Sequence, residues 1–251
     1  MDGLKKKIGI ASIVLILAFV GGMMLSVRGP LTWPQALEQY GGPSAYKSLD
    51  FNKPLAEQTG TVEIAGRRFE IPKMYIESTQ TPDDVYMDSI LLTVVWPEMI
   101  SLFDLKTKDN YRKVVREERR SGGILLEAQS DRPSLDKQIA NLRRSLTKEE
   151  FIGKEDGLEL YLHYHGPKER PELWMERYLE RDKDGHLLSY NECRAGQFVI
   201  FPVCSHKFID GGLIYKISYN KKRFFPEWRE QRRRAIDFID SLEIIDSEAN
   251  G

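Results

Sequence analysis

From Ile8 to Val27 the chain runs 20 residues without a charge, and serines are the only polar side chains among them. A helix of that length spans about 30 Å, the thickness of a bilayer's hydrocarbon core. Lys5, Lys6 and Lys7 precede the run and only Arg28 follows it. Cytoplasmic flanks of membrane helices are enriched in Lys and Arg. The expectation is a single-pass inner-membrane protein: a cytoplasmic segment 1–7, a transmembrane signal anchor 8–27, and the rest exported. The alternative is a signal peptide cut after Gly22, with Val20 and Gly22 as the small residues before the cut. The apolar run continues through Met23, Met24 and Leu25, which favours retention. No cysteine follows it closely enough for a lipoprotein anchor.

Charge excludes some partners. Lys and Arg number 37 against 38 Asp and Glu, and the residues beyond Arg28 are mildly acidic. Such a balance gives no electrostatic case for nucleic acid. With 41% hydrophobic residues, the exported part has enough apolar side chain for a real core.

Residues 28–59 read as a tether with one short helix, capped by Thr32 with Pro34 in its first turn and ended by Gly41-Gly42-Pro43. Strand patterns begin at Gly60. In "TVEIAGRRFEIP", alternation around Ala65-Gly66 predicts a hairpin. "SILLTVVWP", Ser89 to Pro97, reads as a strand buried on both faces. "SGG" at Ser121–Gly123 is expected to turn the chain into another strand, "ILLEAQ". Leu135, Ile139, Leu142 and Leu146 mark one apolar helix face behind the cap Ser134. The C-terminal half reads as an antiparallel meander. Its turn signals are Asp184-Gly185 and Asp210-Gly211-Gly212. A last helix follows, from about Pro226 to Leu242, with Arg232 falling towards its apolar side. The fold class is therefore α+β, a mainly antiparallel sheet with a few packed helices over residues 60–245. Two intertwined halves, 60–150 and 151–245, are an option, and 246–251 form a tail.

Cys193 and Cys204 are the chain's two cysteines. In an oxidising space such a pair most often forms a disulfide, and antiparallel pairing of "HLLSYNEC" with "CSHKFI" sets the two face to face. Free thiols and a metal site are the alternatives; C-x-x-C is absent and a zinc site needs further ligands. The intervening loop carries Phe198, Val199, Ile200 and Phe201 in succession. That run reads either as an extra core strand or as an exposed, disulfide-braced tip that binds a partner.

Catalytic patterns are sparse. Leu158, Leu160, Leu162 and Tyr164 alternate with Glu159, Tyr161, His163 and His165, which places both histidines on one face. An H-x-H pair is a weak zinc or copper candidate; solvent-facing histidines are commoner. No cofactor is implied: P-loop and dinucleotide fingerprints are absent, and so is G-x-S-x-G. The carboxylate pairs Asp83-Asp84 and Glu149-Glu150 read as loops or helix starts.

"VEIAGRRFEIPKMYI", "LLTVVWPEM" and the ending "LIYKISYNKKRFFPEWREQRRRAIDFIDSL" together resemble a loose group of uncharacterised membrane-anchored periplasmic proteins of Gram-negative bacteria, some of them similar to immunity proteins. The resemblance implies a periplasmic domain that binds an envelope protein, with immunity to a periplasm-delivered toxin as its most concrete form. It implies no site residues. A structural subunit of an envelope or secretion assembly is the second reading. A periplasmic hydrolase using His163 and His165 is the third.

Overall fold

Ala65 and Gly66 both take left-handed backbone, with φ of 55° and 76°. That is the two-residue turn whose twist matches antiparallel strands. It joins β1 (Thr59–Ile64) to β2 (Arg67–Pro72). The computed structural model describes residues 49–77, 85–86, 88–130, 132–146, 148–164, 174–195 and 199–245. The expected span 8–27 and the tether helix lie outside the described residues. Among the described residues, no helix is long and apolar enough to cross a membrane.

The strands that follow are β3 (Val85–Tyr86), β4 (Ser89–Val95), β5 (Ser121–Ala128), β6 (Lys148–Glu155), β7 (Leu158–Tyr164), β8 (Trp174–Arg181), β9 (Leu187–Arg194), β10 (Val203–Asp210) and β11 (Leu213–Asn220). Helices are α1 (Lys108–Tyr111), α2 (Leu135–Arg144), α3 (Lys221–Phe224) and α4 (Trp228–Asp240). One sheet has eight strands in the order β4-β5-β11-β10-β9-β8-β7-β6, and a smaller one runs β2-β1-β3. All pairings in the large sheet are antiparallel. The expected meander is its β6–β11 portion, and Gly185, Gly211 and Gly212 take the left-handed backbone that its turns require.

One face of the large sheet is sealed. Leu92, Ile124, Phe208, Tyr215 and Ile217 pack there against Trp228, Ala235 and Ile239 of α4 and against Ile64, Phe69 and Ile71 of the small sheet. The chain beyond α4 then zips onto β2: Glu70 N donates to Leu242 O at 2.8 Å and Ile244 N to Arg68 O at 2.8 Å. Arg67 adds ion pairs to Asp240 at 2.9 Å and Glu243 at 2.5 Å. A second cluster gathers Leu49, Met74, Val95, Phe103 and Tyr111. The other face of the sheet is only partly covered, by α2, whose cap Ser134 accepts from Lys137 N as expected.

Two expectations change. "SILLTVVWP" is not buried on both faces: Ile90, Leu92 and Val94 turn inwards while Leu91 is 40% exposed. On the face of Leu91 and Thr93, β4 is only partly covered among the described residues. Gly122 and Gly123 do not turn the chain. They lie inside β5, where Trp96 crosses and donates from Nε1 to Ser218 O at 3.0 Å. A Cβ on Gly122 would stand 2.0 Å from Ser218 O and 2.3 Å from Trp96 Nε1. Gly122→Ala should therefore cost about 3 kcal/mol or more, since backbone and a packed indole must both shift. Chemical denaturation checks this. Gly185→Ala, with nothing within 4 Å of its added Cβ, should cost less.

Candidate functional site on the open face of the sheet

Cys193 on β9 lies directly opposite Cys204 on β10, with Cα atoms 4.0 Å apart and the sulfurs bonded. Both are fully buried on the sealed face. The bond closes the base of the loop at its two strand ends. Because β9 and β10 pair with each other, no strand can insert between them. The core-strand reading of the loop therefore fails for its described part. Ile200 is 77%, Phe201 48% and Val203 50% exposed, with Val199 half-buried. Phe198 lies outside the described residues. The Arg119 guanidinium stands 4.2 Å from the centre of the Phe201 ring, a cation–π contact that fixes the ring's inner face.

From this tip a groove of ≈ 600 Å³ runs along the open face. Tyr190, Glu192 and Arg194 of β9, Ser205 and Lys207 of β10, and Lys216 and Ser218 of β11 line it, with Phe201 and Val203 at its end. On the far side α2 seats Leu135 and Ile139 against Leu179, Leu187 and Tyr190. Burial lowers the Lys207 pKa, and Glu127, 3.8 Å away, opposes that shift. Burial raises the Tyr190 phenol, with Glu192 adding to the effect.

Beneath the groove lies a chain of charges that the sequence did not disclose. Arg177 is fully buried, and its Nη2 donates to Glu192 Oε1 at 2.7 Å while Nη1 donates to Glu149 Oε1 at 2.7 Å. Arg143 of α2 holds the other oxygen of Glu149 at 2.5 Å. A guanidinium without water requires such pairing. Glu149-Glu150 thus sits on strand β6, not in a loop or helix start. Asp83-Asp84 lies outside the described residues.

His163 is 1% exposed, with Nε2 3.5 Å from Glu192 Oε1. It is not the solvent-facing histidine expected, because α2 and the Arg177 network cover that part of the face. His165 lies outside the described residues. Among the described residues, no group of three or more His, Cys, Asp or Glu is placed to hold a metal ion. The groove is lined by ammonium, guanidinium and hydroxyl groups, by one carboxylate already held by Arg177, and by the apolar side chains of Met175, Phe201 and Val203. It is equipped for recognition by charge and hydrogen bonding.

Under α4, His206 lies 5.1 Å from the ring of Phe208 and 5.4 Å from that of Trp228. Arg232, the exception on the helix, covers Phe208 at 4.8 Å and bonds Glu180 at 3.2 Å. Burial, with a smaller push from Arg232, holds the His206 pKa down at about 3, against an ordinary 6.5. The unfolded chain therefore binds a proton that the fold refuses. Stability is fully present above pH 6.5 and falls as pH drops towards 3, by up to ~1.4 kcal/mol per unit. His206→Phe should flatten the midpoint-against-pH curve across that window. Cys193→Ser with Cys204→Ser should lower stability by about 3 kcal/mol on the chain-entropy model, measured by urea denaturation at neutral pH.

No family model matches the chain, and no curated protein matches it. Among solved structures it is similar to Smlt3025, an immunity protein of the Stenotrophomonas maltophilia type IV secretion system. The TM-score is 0.55 at 17% identity, covering 75% of this chain and 94% of that one. The Neisseria meningitidis iron-regulated outer membrane lipoprotein FrpD gives a TM-score of 0.46 at 12% identity, over 76% of this chain and 95% of that one. The first likeness is one of fold, and the resemblance read from the sequence stands as a loose one.

Proposed function

We propose that the protein is a non-catalytic binding domain that neutralises a toxin, held at the outer surface of the inner membrane by residues 8–27. One observation carries the reading: an apolar tip, braced at its base by a buried disulfide, stands at the end of a groove with cationic walls. Exposed apolar side chains that are held rigid are what interface anchors are made of. The fold shared with a secretion-system immunity protein supports immunity over other kinds of binding. The Cys193–Cys204 bond supports an oxidising compartment, because such bonds are rare in the cytosol. The apolar run with its Lys5–Lys7 flank supports the membrane anchor.

The test is survival. Toxins encoded beside the gene are produced one at a time, directed to the periplasm of cells lacking it. One of them should kill, and the wild-type chain should restore growth. Ile200→Asp with Phe201→Asp should reduce survival by roughly 100-fold at equal protein level, the loss of about 2–3 kcal/mol typical of interface anchors. Equal sensitivity to every such toxin with and without the gene removes the immunity reading.

A further inference from the structure

β6 ends the large sheet, and among the described residues no strand pairs with its outer edge. An open edge offers a row of unused backbone donors and acceptors to another strand. This one reads Lys148-Glu149-Glu150-Phe151-Ile152-Gly153-Lys154-Glu155, with Phe151 55% and Ile152 53% exposed. Laid antiparallel against a second copy of itself, the strand sets Lys148 opposite Glu155, Glu149 opposite Lys154, and Phe151 opposite Ile152. Two-fold symmetry makes each contact twice.

In an unbroken strand that register is impossible, because residues an odd number of positions apart point to opposite faces. The bulge removes the obstacle. Pairing with β7 skips Ile152 between Phe151 and Gly153. Glu149 and Lys154 then both oppose open-face residues, His163 and Glu159, while Lys148 and Glu155 both oppose sealed-face residues, Tyr164 and Leu158. Opposed residues share a face. The extra residue is what brings the opposite charges into line.

We infer that β6 is a self-pairing edge, and that two copies of this chain join there into one continuous sheet about a two-fold axis. The inference goes beyond the toxin-binding reading and does not depend on it. The groove and the 199–203 tip stand on β9, β10 and β11, away from this edge, so a pair leaves both copies' tips open. Glu149 already serves Arg143 and Arg177. The pair that discriminates is therefore Lys148 with Glu155. Both are exposed, and Lys148's present partner is Glu150 on the same strand at 3.2 Å.

The experiment is light scattering after size exclusion on the full chain in mild detergent, with two single variants. Lys148→Glu makes every outer contact Glu against Glu, and Glu155→Lys makes it Lys against Lys. Each should weaken self-association by about tenfold or more, since two attractive pairs become two repulsive ones. Mixing the two variants should restore dimers, because each then meets its opposite. As a second reading, Lys148→Cys with Glu155→Cys should give a covalent dimer on oxidation, and Lys148→Cys with Lys154→Cys should not. A monomeric wild type overturns the inference, since the bulge and charges would then only guard the edge. A dimer left intact by both charge variants, with no cross-link, also overturns it by placing the contact elsewhere.

Discussion

The large sheet exists as one sheet because β5 pairs with β11. The ladder runs from Leu213 opposite Ala128 to Ile217 opposite Ile124. It joins strands far apart in sequence, and closing so long a loop costs entropy that local hairpins do not incur. What offsets that cost is packing at the seam. Gly122 lets the Trp96 indole lie over β5 and reach Ser218 O, and Gly123 N donates to Ser218 Oγ at 2.8 Å. Once the seam is closed, Leu92, Ile124, Ile217 and Phe208 form one continuous apolar floor for α4. Among the described residues, this seam is the pairing within the large sheet that joins strands farthest apart in sequence.

Much of this was legible in the sequence and some was not, for identifiable reasons. Turns were legible, because Gly66, Gly185, Gly211 and Gly212 take left-handed backbone that few residues other than glycine accept. The facing cysteines were legible because alternation fixes register once a hairpin is granted. β6 was missed. Its residues are mostly charged, as edge strands tend to be, so no hydrophobic period announces it. The signal was the Asp156-Gly157 turn, with φ of 49° and 80°, directly before the clearest alternating strand in the chain. His163 was misplaced by a different failure. Alternation says which residues share a face, and it cannot say which part of that face another element will cover. α2 settles that, and nothing local to β7 foretells where α2 docks.

The two faces handle polar groups differently. On the sealed face, His206 is kept neutral by burial between Phe208 and Trp228, while Arg232 keeps its charge by reaching Glu180 along the helix rim. On the open face, Arg177 is as buried as any core residue and keeps its charge through two carboxylates. Such a network adds less stability than an apolar core of the same volume would, because each ion must be stripped of water. It does impose geometry. Glu192 is drawn down onto Arg177, so the charges left along the groove are cationic: Arg194 and Lys216 form no ion pair with a carboxylate among the described residues, and Lys207 pairs with Glu127 at 3.8 Å.

On the toxin-binding reading, the disulfide on the sealed face serves recognition on the open one. Cys193 and Cys204 lie in the core, yet they are the last residues before the strands part into the loop. Fixing them fixes where the chain leaves the sheet and where it returns. The apolar side chains of Ile200, Phe201 and Val203 would otherwise gain by folding back onto nearby apolar surface. Held at the base, and with Arg119 against one side of Phe201, they remain outward. Association must ordinarily pay for ordering such side chains, and a tip ordered in advance has met most of that cost during folding. The exposure of the tip and the burial of the bond are two ends of the same constraint.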